Sequence, residues 1–263
     1  ASAVRVGNIV TITADNADNT ENFTVNGAGN LLMDGFNLGQ ISTITEFHYQ
    51  GAQGNNDTLN FQGTNAFNFA SLTKMEIGVT GSEVRQINVR QDLIIGDGTT
   101  SPSATVDWLV NRTINFDHDN NGASSLTAFD GNVNLTSDGT GGGNGRGIQL
   151  LDGPAFIQTR DGNITLDGTG RGTGSNRMGV WLEGQAGERI EATGSGNIVI
   201  AGVGSSASSG DSIRGVSIGN GTTSANAIVR ANTGSIAITG TAAGMGIGSD
   251  FNNGVLIAGT VET

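Results

Sequence analysis

The chain contains no cysteine, two prolines and one lysine, Lys74, among 263 residues. Without cysteine there is no disulfide framework, no thiol nucleophile and no thiolate metal site. Aromatic residues are 5% of the chain, too few for an extended sugar-stacking platform. Charged residues are 14%, so neutral Asn, Ser, Thr and Gly carry the solubility. No apolar stretch approaches the roughly 18 residues of a membrane-spanning helix. Basic residues are outnumbered two to one, giving a net charge of −12 and a pI near 4.3. Such a surface repels nucleic acid and anionic membranes, and suits calcium or a sugar coat better.

What the chain has in excess is glycine, at 44 residues. No strict three-residue glycine period accompanies it, which excludes collagen. Apolar residues are only 35%, yet they fall in short β-branched runs such as Asn197-Ile198-Val199-Ile200, unlike a disordered chain.

Those runs repeat. Gly131-Asn132-Val133-Asn134-Leu135 returns as Gly162-Asn163-Ile164-Thr165-Leu166, Gly196-Asn197-Ile198-Val199-Ile200 and Gly234-Ser235-Ile236-Ala237-Ile238, after 31, 34 and 38 residues. A second phrase follows each copy: Gly147-Ile148-Gln149-Leu150, Gly179-Val180-Trp181-Leu182, Gly215-Val216-Ser217-Ile218 and Gly254-Val255-Leu256-Ile257. A third precedes each: Leu126-Thr127-Ala128, Ile157-Gln158-Thr159, Ile190-Glu191-Ala192 and Val229-Arg230-Ala231. Three phrases recurring in one order mark a repeat architecture.

Within each phrase apolar residues alternate with period two, as in a strand with one buried face. One repeat cannot bury three such faces alone. They are buried when the next repeat stacks about 4.8 Å away and its backbone completes the ladder. The expected fold is all-β: a parallel β-helix solenoid with three short strands per coil, taken as right-handed although the repeat does not set the hand. Glycines are expected at the corners, where positive φ is needed. Coil length varies mainly between the first and second phrases, at 140–144 and 203–210, so insertions are expected at that one corner.

The regular repeats are expected over 87–263, with Ile87 to Gly98 aligned on Ile157 to Gly168. Residues 1–86 read as irregular coils of the same solenoid or as a small β-cap, with short strands at Val10-Thr11-Ile12, Phe23-Thr24-Val25, Leu31-Leu32-Met33 and Leu59-Asn60-Phe61. No linker separates the two parts.

The Gly-Asn-Ile-Thr-Leu-Asp-Gly and Arg-Gly-Val-Ser-Ile-Gly phrases resemble the shafts of filamentous-haemagglutinin-like and other giant bacterial surface adhesins. The resemblance implies a secreted, elongated, cell-surface structural or adhesive part, with surface polysaccharide as a partner. It also implies no catalytic role, no membrane insertion and no nucleic acid. Two amino-terminal segments, 14–25 and 51–59, resemble degenerate calcium-binding nonapeptides of RTX-type proteins. That resemblance implies calcium as cofactor, with Asp18 and Asp57 as ligands and Asp15 and Asn55 as lesser candidates. A plain turn role competes, because Asn and Asp hydrogen-bond their own backbone in turns.

Parallel β-helices also include polysaccharide lyases and hydrolases, the alternative reading. A hydrolase needs paired carboxylates and a lyase needs a base beside cations. The outward positions Asn134, Thr165, Val199, Ala237, Gln149, Ser217 and Leu256 offer neither. Glu191 and Arg230 read as an exposed ion pair on neighbouring coils. His48 and His118 are too separate from partners to build a Ser-His-Asp set. Trp181 is expected outward, covered by a corner loop, by a neighbouring molecule or by a sugar. Val255, Ile257 and Val261 still carry the repeat pattern at the carboxyl end. They are the expected assembly surface, joining further coils of a longer chain or the first coil of another copy.

Overall fold

The computed structural model describes residues 1–15, 17–52, 56–99, 104–117, 124–208, 210–219, 226–243 and 252–263. It is all-β, with one 3-10 turn at Ile41–Thr43. None of its described helices is long and apolar enough to cross a membrane.

The strands form three parallel ladders that the chain visits in turn. The first runs from Ile9–Thr13 through Glu46–Gln50, Lys74–Ile77, the first half of Thr105–Asp117, Val133–Ser137, Ile164–Thr169 and Ile198–Val203 to Ile236–Thr241. The second runs from Thr20–Val25 through Thr58–Phe61, Val84–Val89, the second half of Thr105–Asp117, Ile148–Leu151, Val180–Leu182 and Val216–Ile218 to Val255–Ile257. The third begins at Phe67–Phe69 and ends at Thr260–Glu262. The strand Val84–Val89 spans the expected boundary at residue 86.

Parity decides what is buried. On the first ladder Val10, Phe47, Met75, Val106, Val133, Ile164 and Ile198 stack in one fully buried column. The registers proposed for the three phrases are the registers found, down to Leu126 opposite Ile157 and Ile190 opposite Val229. The amino-terminal half fills the interior with rings instead of aliphatics. Phe61 stacks on Phe23 at 5.1 Å and on Trp108 at 6.2 Å, and Trp108 on Phe116 at 6.4 Å. Phe23 and Phe61 stack directly above one another, whereas Trp108, on the first ladder, meets Phe61 and Phe116 of the second across the interior.

Two expectations change. Ile87 does not align with Ile157 on the third ladder; it faces Leu59 and Ile114 on the second, and Leu93 takes the third-ladder place opposite Leu126. Two apolar runs separated by a short gap look alike at period two, so spacing alone misassigned them. The second change concerns glycine. Corner glycines such as Gly139, Gly143, Gly172 and Gly174 do take positive φ as expected, but Gly131, Gly162, Gly196 and Gly234 do not. Their reason is close approach: a Cβ at Gly162 would lie 1.9 Å from the carbonyl oxygen of Gly131, and one at Gly196 2.0 Å from that of Gly162.

The asparagine after the first three of these glycines is equally specific. Asn132 Oδ1 accepts from the Asn163 N–H, Asn163 Oδ1 from the Asn197 N–H, and Asn197 Oδ1 from the Ser235 N–H, each at 2.9 Å. Backbone donors left free where the chain turns between the third and first ladders are thereby satisfied by the circuit before.

The two ends differ. Ser2–Val6 pairs antiparallel with Ile9–Thr13, and Asn30–Met33 antiparallel with Thr20–Val25, with Phe36–Gln40 beyond it. The outer edges of the first two ladders are thus covered at the amino end. At the carboxyl end the last strands have partners on one side only among the described residues.

Gly196→Ala is expected to destabilise the chain by about 2–4 kcal/mol, since backbone must move to admit the methyl group. Asn197→Ala should cost about 1 kcal/mol for its lost acceptor. Gly142→Ala, where a Cβ meets nothing within 4 Å, is the control. Urea midpoints of the three variants check this, and an unaffected Gly196→Ala would contradict the close-approach account.

Candidate functional site

Asp18 and Asp57 are not brought together as metal ligands. Asp18 is exposed, and its oxygens accept from the backbone and side-chain N–H groups of Asn56 at 2.9 and 3.0 Å. Those bonds hold its carboxyl below the ordinary value. This is the turn role. Asp15 does the same locally, accepting from the Ala17 and Asn19 N–H groups. Asn55 and His118 lie outside the described residues. Among the described residues no group of three or more His, Cys, Asp or Glu side chains could hold a metal ion.

Asp57 has a different setting. It is 1% exposed; Oδ1 accepts from the Asn19 N–H at 3.2 Å and Oδ2 has no hydrogen-bond partner. Glu21 takes the inward place opposite Leu59, in a column that is otherwise aliphatic. It is 2% exposed, and neither oxygen has a hydrogen-bond partner. The amino-terminal ammonium stands 3.9 Å from its Oε1. Burial pushes the Glu21 carboxyl up to about 7, against a pull downward from the Tyr49 hydroxyl, and pushes Asp57 up as well. Composition gave no hint of this interior acid; the signal was a Glu two residues before Phe23, in phase with the buried positions.

A second group lies on the outward side of the first ladder. His48 is hydrogen-bonded through Nε2 to Glu46 at 2.8 Å and through Nδ1 to Glu76 at 3.0 Å, and Lys74 lies 3.0 Å from Glu76. Asp107 faces Glu76 on the next strand, and its Oδ1 accepts from Asn134 at 2.7 Å. Together they border a shallow groove of about 180 Å³. This carboxylate pair went unread because the strand register of residues 74–107 was not legible. Burial raises the Glu76 carboxyl, but Lys74 and His48 outweigh it and hold the group low. A glycosidase pair needs one carboxyl that keeps its proton, and Glu76 is set up for the opposite.

Elsewhere the outward positions are structural. Arg230 bridges Glu191, at 3.4 Å, and Glu262 on the following strand. Trp181 is 9% exposed, and the Arg146 guanidinium covers its ring at 3.8 Å. Val255 and Val261 are half-buried and Ile257 is 51% exposed, on strands with partners on one side only among the described residues.

An acid whose folded pKa exceeds its ordinary 4.5 holds its proton more tightly in the native state. The stabilising contribution of Glu21 is therefore complete below about 4.5 and is lost as pH rises through about 7. Buried Glu188, pushed up to about 7 by burial, adds to the same trend. Glu21→Leu should leave the urea midpoint nearly unchanged at pH 4.5 and add about 2–3 kcal/mol at pH 8. Equal shifts at the two pH values would show that Glu21 is not the titrating group.

The chain matches no protein-family model, no curated protein and no solved structure.

Proposed function

We propose that the chain is a β-helix solenoid that serves as a structural or adhesive shaft of a secreted bacterial surface protein. The observation that carries this reading is the pairing pattern. Each interior strand of the three ladders pairs, within its ladder, with the circuit before and the circuit after, so adding circuits adds length and repeats the same surface. The outward positions fit it too. They are mostly neutral, and the charged ones are tied into ion pairs along the ladders.

The difference between the ends refines the assembly expected from the sequence. A second copy approaching the amino end meets the antiparallel strands Ser2–Val6 and Phe36–Gln40. The edge around Val255, Ile257 and Val261 is the more receptive one. It fits a further circuit from the same chain or from another copy.

The carbohydrate-active alternative draws on Glu76 and Asp107, but the low Glu76 carboxyl and the shallow groove speak against it. Electron micrographs of the native material should show the chain inside an elongated fibre. In solution, Val255→Lys with Ile257→Lys should reduce any self-association measured by sedimentation velocity. Compact free particles in the micrographs, or polysaccharide cleavage lost in Glu76→Gln, would overturn the shaft reading.

A further inference from the structure

The insertions between the first and second ladders carry an imbalance of charge. Of the chain's 12 basic residues, Arg85, Arg112, Arg146, Arg171, Arg177 and Arg214 gather at this corner. Register explains four of them. Arg85 faces the irregular step at Asn111 and Arg112 between the pairs Val84–Val110 and Gln86–Thr113. Arg112, Arg146 and Arg214 each stand two residues before the aligned column Ile114, Ile148, Val180 and Val216. Arg171 reaches back across two circuits, donating to the Arg112 carbonyl and, at 2.8 Å, to Thr113 Oγ1.

None of the six forms an ion pair with a carboxylate among the described residues. Their hydrogen-bond partners are neutral: Arg112 donates to the Asn144 carbonyl, Arg146 to Gln149, Arg177 to the Thr173 carbonyl and Arg214 to Ser217. Asp138, whose charge reaches Arg171, has its Oδ1 taken by Thr140. Elsewhere Arg160 pairs with Asp130, Arg189 with Glu191 and Arg230 with Glu262, while Arg5 donates to the neutral oxygens of Gly7, Leu38 and Thr43. Like charges on adjacent strands destabilise each other. Asp18 acts on Arg85 and Glu183 on Arg146 only at a distance, so in a protein of net charge −12 the corner arginines are without direct carboxylate partners among the described residues.

The corner also has room. An open groove of about 410 Å³ runs over it, walled by Gly139, Gly141, Gly142, Gly143 and Gly172, with Arg171 in its lining and no acidic residue there. Arg171 is 5% exposed and its buried Nε lacks a hydrogen-bond partner. Gly143 packs against the Arg112 guanidinium, where a Cβ would lie 2.9 Å from Nη2. Burial and the neighbouring arginines push Arg171 down to about 9, the direction that a bound negative charge would reverse.

We propose that this glycine-walled corner groove seats an oxyanion, of the kind carried along an acidic polysaccharide, on Arg112, Arg171 and Arg177. Planar guanidinium groups match carboxylate and sulfate oxygens in pairs. Arg112 and Arg146 stand on successive circuits about 4.8 Å apart, which suits a linear polymer of anionic sugars lying along the corner. The overall negative charge does not prevent this, because at physiological salt fields fade beyond about 8 Å and the local arginines dominate. The site stands whether or not copies join end to end.

Calorimetric titration of the intact chain with a linear uronic-acid oligosaccharide, with inorganic sulfate and with a neutral oligosaccharide of equal length tests it. The uronate oligomer should bind, more weakly as salt rises, with sulfate as competitor and the neutral sugar inert. Arg112→Gln with Arg177→Gln should weaken binding at least tenfold while the circular dichroism spectrum is unchanged. Arg160→Gln with Arg230→Gln, on the ion-paired third face, should leave it unaltered. Binding of sulfate alone would keep the oxyanion site and remove the polysaccharide. Binding of neither, or equal binding by the folded corner variant, overturns the proposal.

Discussion

The rest of the structure depends on hydrogen bonding between one circuit of the chain and the next. A circuit holds three strands of three to six residues, too short to be stable alone. Its backbone donors and acceptors point along the stack, and only a neighbour in the same register satisfies them. Burial follows the same constraint. Ile164 is sealed by Val133 on one side and Ile198 on the other, and a slip of one residue would turn all of them outward. The asparagine chain from Asn132 to Asn197 extends this dependence to the turns, so the corner keeps step with the strands.

The carboxyl-terminal half was legible in the sequence because its columns are chemically uniform. Val133, Ile164, Ile198 and Ile236 differ by little more than a methyl group, and period-two alternation in three phrases fixes both face and register. The amino-terminal half was less so. Its columns mix Phe, Met, Trp and Leu, and one holds Glu21, so no phrase repeats even though the ladders continue. There the interior is filled in part by rings that meet across ladders, from Phe23 through Phe61 and Trp108 to Phe116, which a spacing count does not register. The carboxylate pair Glu76 and Asp107 was invisible for the same reason.

The corner arginines were hidden by a different cause. Insertions of unequal length separate them from the phrases that announce the repeat, and Arg171 and Arg177 have no counterpart at equal spacing in the next circuit. Counted back from Ile114, Ile148 and Val216, however, Arg112, Arg146 and Arg214 fall in one column. The glycines at the insertion necks were misread in kind. Gly168 and Gly179 are there because a Cβ on Gly168 would lie 2.3 Å from the Gly179 carbonyl oxygen, which pinches each loop at its base. Close approach, unlike positive φ, leaves no mark in local sequence.

Stacking in register also explains why this surface carries so little charge. Each outward residue faces the corresponding residue of the next circuit, so a conserved charge in the repeat would place like charges side by side along the whole ladder. Neutral Asn and Thr avoid that, as Asn134 and Thr165 do. Where charge is present on the third ladder it alternates: Glu191, Arg230 and Glu262 occupy one column in that order. On the first, His48 stands between Glu46 and Glu76. The rule is not absolute: Asp107 faces Glu76 on the first ladder, and the arginine corner gathers like charges as well. Loop placement relieves part of the repulsion, since Arg146 lies over Trp181 and Arg171 donates to a backbone carbonyl. Those contacts are neutral, though, and they leave the positive potential standing. Six of the chain's 12 basic residues gather at one corner of a molecule of net charge −12, and we read that gathering as a place for charge supplied from outside.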